Sequence, residues 1–136
     1  MNRLIAAIAL GLIAAPAFAS GDVDKGAKGF KKCKACHTIA PAEGDPIVKG
    51  GKTGPNLYGV VGRTAGTYEG FKYGADIVAA GEAGLVWDEE NLVTYMTDPK
   101  KFLKGYLDNT SAKSKMSFKM KKGGEDVAAY LASVAE

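Results

Sequence analysis

The sequence predicts a single all-α domain of about five short helices. Three observations carry that expectation. Capping residues stand ahead of apolar residues at helical spacing, and no segment alternates apolar and polar residues as a half-buried strand would. The 18 glycines favour loops lying close to something over long regular elements. At 136 residues the chain has room for one domain. With 46% hydrophobic and 24% charged residues it is neither a disordered polymer nor a membrane bundle.

Residues 1–20, MNRLIAAIALGLIAAPAFAS, stand apart from the fold. Arg3 and the amino terminus form a positive region, Leu4 to Ala15 an apolar run, and Ala17-Phe18-Ala19 a small-residue cleavage site. That order is a secretory signal cut after Ala19. The apolar run falls short of the roughly 20 residues a membrane span needs. Residues 20–136 are then the mature domain, exported to the periplasm, with the net charge of +3 reduced by the loss of Arg3.

The first helix is expected from about Asp22, its cap, to Lys34, with Gly26 and Phe30 one turn apart on the inward side. A short helix near Asp76–Ala80 closes at Gly81. Asp88 caps the next, Glu89 and Glu90 suit its positive end, and Pro99 stops it. Leu92, Tyr95 and Met96 share one face there, so Met96 reads as core packing. Asp98-Pro99 opens a helix near Pro99–Leu103. The last runs from about Gly124 to Ala135, with Val127, Tyr130, Leu131 and Val134 on one face.

Chemistry concentrates in Cys33-Lys34-Ala35-Cys36-His37. C-x-x-C-H is the attachment signature of c-type haem. On a helical turn, positions i, i+3 and i+4 project from one side. Two thiols there can add across the two vinyl groups of one porphyrin, and the imidazole beside the second can bind the iron. A thioredoxin-type site needs a βαβ setting, which is missing. A zinc site needs four ligands where two cysteines and one histidine give three. A plain disulfide leaves His37 unexplained.

His37 is the chain's one histidine, so a second imidazole cannot fill the opposite iron face. Methionine is the usual alternative, and its thioether raises the potential by favouring ferrous iron. Beyond Met96, the candidates are Met116 and Met120, in a Ser- and Lys-rich stretch from Ser111 that lacks helical periodicity and reads as a loop. Spacing does not choose between them.

With these residues in view the sequence resembles the class I monohaem cytochromes c, and most closely the bacterial cytochrome c2 group. The motifs that carry the resemblance are Cys33 to His37, Lys52-Thr-Gly-Pro-Asn-Leu57, Gly59-Val-Val-Gly-Arg63, Trp87, Tyr95 and Lys115-Met-Ser-Phe118. The resemblance implies the class I cytochrome c fold around one covalently attached haem c. Its terminal helices would cross, Gly26 allowing close approach and Phe30 meeting Tyr130. It further implies Met116 as the sixth ligand and Pro55 as the carbonyl acceptor for His37. Tyr95 would hydrogen-bond the methionine sulfur, and Arg63, Tyr73 and Trp87 would surround the haem propionates. Extra residues at Pro41–Gly51 and Leu103–Ser114 are expected in loops.

Charge is divided along the chain. From Tyr73 to Pro99 there are six acids and no base, and from Lys100 to Lys122 eight lysines and one acid. Lysines around the ligand loop would steer the protein onto acidic partners. Export and low net charge argue against nucleic acid. With both axial sites filled no substrate meets the iron, and no second imidazole can serve a peroxidase. A gas sensor with a labile sixth ligand is the remaining rival. The resemblance implies a monomeric one-electron carrier, fed by a quinol-oxidising cytochrome bc1-type complex and emptied by a photosynthetic reaction centre or a terminal oxidase.

Overall fold

Aspartates cap three of the five helices in the computed structural model, which describes residues 21–134. The helices are α1 (Val23–Gly29), α2 (Ala75–Glu82), α3 (Glu89–Thr97), α4 (Pro99–Tyr106) and α5 (Gly124–Ser133). Asp22 accepts from the Lys25 N–H at 2.9 Å and starts α1. Asp88 accepts from the Asn91 N–H at 2.7 Å, while Asn91 Oδ1 accepts from the Asp88 N–H at 2.9 Å, a reciprocal cap for α3. Asp98 accepts from Lys101 at 3.1 Å, and Pro99 takes the first position of α4, where no N–H is missed. Two isolated antiparallel bridges, Ile39 with Val48 and Thr64 with Val86, are the sole strand-like pairings among the described residues. The fold is all-α, as expected.

Several expected boundaries move. The first helix stops at Gly29 and tightens into a 3₁₀ turn, Phe30–Lys32, ahead of the cysteines. Gly81 does not end α2. It is buried inside the helix, where a Cβ would strike the Ala65 carbonyl, so it serves close approach. The helix runs on to Glu82, and just past the cap residue Ala83 the stop is Gly84, whose φ of 105° places it in the left-handed region. Leu85 N–H then bonds the Ala80 carbonyl at 3.0 Å and Gly84 N–H the Gly81 carbonyl at 3.0 Å, the paired bonds of a left-handed helix stop. α4 runs on to Tyr106, so the added residues from Leu103 begin in helix and become loop only afterwards. Residues 1–19, read as a cleaved signal, and Ala135 lie outside the described residues.

α1 crosses α5, and the crossing is close because Gly26 has no side chain. A Cβ there would enter the Asp126 carbonyl and lie 2.7 Å from Tyr130 Cβ. Phe30 packs on Tyr130 with ring centroids 6.0 Å apart, and Val127 and Leu131 complete the seam. Asp22 N–H also reaches Asp126 Oδ1 at 2.8 Å. Gly26→Ala is expected to destabilise the haem-loaded protein by about 2 kcal/mol, overpacking outweighing the better helix propensity of alanine. A urea melt measures it, and an unchanged midpoint would contradict the crossing. No helix among the described residues is long and apolar enough to cross a membrane.

Candidate haem site

The turn that follows α1 sets the attachment residues. Cys33 N–H bonds the Phe30 carbonyl at 2.8 Å, and the Cys33 carbonyl accepts from Cys36 at 3.1 Å and from His37 at 2.9 Å. One carbonyl thus gathers both later positions of the motif onto a single helical turn. No disulfide joins the two cysteines, and Cys33 is half-buried while Cys36 is exposed. Burial pushes the Cys33 thiol up to about 11, against the opposing pull of Lys32. A disulfide exchanger lowers its thiol pKa, so this environment speaks against the thioredoxin reading.

Three glycines let a second strand of chain lie against this turn. Gly50 and Gly51 each lie where a Cβ would strike a carbonyl of the motif, that of His37 or of Ala35. Gly54 lies flat on the His37 imidazole, and a Cβ there would overlap the ring. Gly51 N–H bonds the Lys34 carbonyl at 2.9 Å and Gly54 N–H the Cys36 carbonyl at 2.8 Å. The next residue, Pro55, offers its carbonyl to His37 Nδ1 at 2.8 Å. Desolvation lowers the His37 pKa, partly offset by the Pro55 bond. A neutral ring with its Nδ1–H committed to a carbonyl carries its lone pair on Nε2, the form in which imidazole binds a metal.

Two further groups form the surroundings. Arg63 donates from Nη1 to the Asn56 carbonyl at 3.0 Å and from Nη2 to the Tyr58 carbonyl at 2.6 Å, and lies 4.8 Å over the Tyr68 ring. Burial lowers its pKa, with the Tyr73 hydroxyl opposing. The Tyr73 hydroxyl accepts from the Tyr68 N–H at 3.1 Å, and its own pKa is raised by burial. The one ion pair among the described residues joins Lys119 and Asp98, so this half-buried guanidinium faces carbonyls and phenols without a carboxylate. An acidic group entering here would meet a waiting cation. The second group is an aromatic wall: Trp87 and Tyr95 have centroids 4.9 Å apart, and Phe102 lies 6.0 Å from Trp87. Burial raises the Tyr95 pKa, with the Ser114 hydroxyl opposing. The structure thus brings Arg63 to Tyr73, and Trp87 to Tyr95. Trp87 and Arg63 are joined through the backbone, Trp87 N–H to the Arg63 carbonyl at 2.9 Å.

No protein-family model matches the chain. Individual proteins do. Cytochrome c-551 of Roseobacter denitrificans is 60% identical over 136 residues, 99% of this chain and 97% of that protein. Cytochrome c2 of Rhodobacter capsulatus is 61% identical over 131 residues, 96% of this chain and 95% of that protein. The chain belongs to the bacterial cytochrome c2 family. The solved structure of cytochrome c2 isolated from Rhodobacter capsulatus matches the fold with a TM-score of 0.84 at 62% identity, over 85% of this chain and all of that one. The architecture is therefore the class I cytochrome c fold. The protein is an electron carrier, not an enzyme, and holds one covalently bound c-type haem, whose attachment motif the spacing of Cys33, Cys36 and His37 fits.

Residues 33–37 and Arg63 fit that cofactor on chemistry alone: two thiols on one turn, a neutral imidazole with Nε2 free, and a cation lacking an acid. Sequence reasoning assigned no role to Gly54, Asn56, Tyr68 or Ser114. Asn56 clamps the Ala40 backbone from both sides, Oδ1 accepting at 3.1 Å and Nδ2 donating at 2.7 Å, and Nδ2 also reaches the Tyr68 hydroxyl at 3.2 Å. The available signal was Gly54-Pro55-Asn56 itself, a turn triplet seventeen residues after the histidine.

Proposed function

We propose that the protein is a soluble periplasmic one-electron carrier whose haem iron is bound by His37 and Met116. Residues 1–19 act as its cleaved export signal. Electrons arrive from a quinol-oxidising cytochrome bc1-type complex and leave to a photosynthetic reaction centre or a terminal oxidase. The observation that carries the ligand choice is the contrast among three methionines. Met96 and Met120 are buried to 6% and 5% exposure. Met120 Cε lies 3.7–3.8 Å from ideal Cβ positions on Gly123 and Gly29, and Met96 Cε 4.0 Å from that on Gly124, so both fill the helix seam. Met116 is half-buried in an irregular loop and is the methionine free to turn toward a cofactor.

The haem supplies the ferric–ferrous couple; the chain supplies everything that tunes it. Pro55 orients the His37 ring and makes it a stronger donor. Arg63, Tyr73 and Trp87 would surround the propionates and offset their charge, and Tyr95 would hydrogen-bond the methionine sulfur. His37 and Met116 would together hold the iron, leaving no position on it for a substrate. The reading is tested by the ferric near-infrared sulfur-to-iron band, expected in the parent and lost in Met116→Ala; avid carbon monoxide binding by the parent would favour a sensor instead.

Lys113, Lys115, Lys119, Lys121 and Lys122 are all exposed, and Phe118 among them is 41% exposed. That basic, partly apolar face suits brief docking on the acidic surface of a membrane complex. Electron transfer to purified reaction centres or oxidase is expected to slow about tenfold between 10 mM and 200 mM salt. A flat salt profile would remove the lysine face from the docking scheme.

A further inference from the structure

The loop that carries Met116 has no helix or strand from Lys113 to Met120, yet it is tied down at both ends. At its far end Met120 N–H bonds the Met96 carbonyl at 2.7 Å, and Lys119 Nζ lies 3.3 Å from Asp98. At its near end Lys113 N–H donates to Asp76 Oδ2 at 2.7 Å, across 37 residues of sequence. Lys115 Nζ adds a bond to the Lys72 carbonyl at 3.0 Å, and Ser114 Oγ donates to the carbonyl of Met116 itself at 2.9 Å.

These ties are unequal. Lys119 is half exposed, and such a surface pair contributes little. Lys115 reaches a neutral carbonyl from the end of a long, flexible side chain. Asp76 is different in three respects. It is half-buried as the second residue of α2, so its carboxylate is presented from the first turn of a helix and not from a loop. Its partner is a backbone amide, so the bond fixes the main chain three residues before Met116. The bond is also charge-assisted, about twice as strong as one between neutral groups.

We propose that Asp76 is a positioning residue for the methionine ligand, clamping the Lys113 amide so that the ligand loop stays closed on the haem. The proposal rests on the assignment of Met116 as axial ligand. Closing the loop sets how often the sulfur leaves the iron, and Asp76 controls that frequency from α2. It never touches the cofactor.

Two measurements on the haem-loaded protein test this. One is the limiting rate at which added imidazole displaces the sulfur from ferric haem, followed by loss of the near-infrared band. The other is hydrogen exchange at the Lys113 amide. Asp76→Ala is expected to raise both rates about tenfold. Asp76→Asn keeps a neutral acceptor and should raise them about threefold. Glu90→Gln, which removes an exposed acid from the first turn of α3, should stay within about twofold. An Asp76 that merely stabilised its helix would speed exchange within α2 and leave Lys113 protected. Parent-like rates in Asp76→Ala, or in Asp76→Asn if the alanine variant does not accumulate, would overturn the proposal. Retention of the band in Met116→Ala would overturn the ligand assignment with it, whereas its loss there beside parent-like Asp76 variants overturns the clamp alone.

Discussion

Met116→Ala is expected to abolish the ferric near-infrared band, open the ferrous iron to carbon monoxide, and lower the reduction potential by on the order of 100 mV. The thioether is a soft ligand that favours the ferrous state, and alanine leaves that face to water or a displaced side chain. Global stability should fall less than the spectrum suggests, because Met116 is half-buried and little protein packing is lost with it. Met120→Ala provides the opposite pattern. Its side chain lies within the α1–α5 seam at 5% exposure, so truncation should cost about 3 kcal/mol by leaving a cavity. The band and the potential should survive. Equilibrium redox titration and a urea melt of the two variants separate ligand from filler. A Met120→Ala protein that loses the band while Met116→Ala keeps it would reverse the assignment.

The attachment turn was legible because chemistry confined it to five consecutive residues, and the capped helices because Asp22, Asp88 and Asp98 satisfy backbone donors locally. What escaped the sequence is contact between distant segments. Gly81 looked like a helix stop, the commonest local use of glycine, but its role is set by the Ala65 carbonyl pressed against it. The first helix seemed continuous to Lys34, since nothing local marks the tightening after Gly29 into the turn Phe30–Lys32. The added residues from Leu103 looked like loop, although α4 continues through Tyr106, whose ring stacks on Phe102 at 5.9 Å. Asp76 was read as one of six acids in a charged stretch, whereas its partner lies 37 residues away. Asn56 and Tyr68 likewise gain meaning only when folding brings Ala40 and Arg63 beside them.

Gly54→Ala should be the most damaging single-methyl change near the cofactor. The added Cβ would occupy the space of the His37 imidazole, and neither side can retreat easily. The Gly54 backbone is held by its N–H bond to the Cys36 carbonyl at 2.8 Å, and Pro55 stiffens the chain that follows. The ring must therefore turn, which stretches or breaks the 2.8 Å bond from Nδ1 to Pro55. Overpacking and a buried, unpaired ring N–H together should cost about 3 kcal/mol. The potential carries a separate signature. An imidazole that no longer donates to Pro55 is a weaker donor to ferric iron, so the potential should rise by on the order of 50 mV, opposite in sign to Met116→Ala. Gly105→Ala is the matched comparison, since a Cβ there meets open space within α4 and should stabilise by up to about 1 kcal/mol. If Gly54→Ala accumulates as much haem-loaded protein as the parent, at the parent's potential, then His37 is oriented by something other than the glycine–proline turn beneath it.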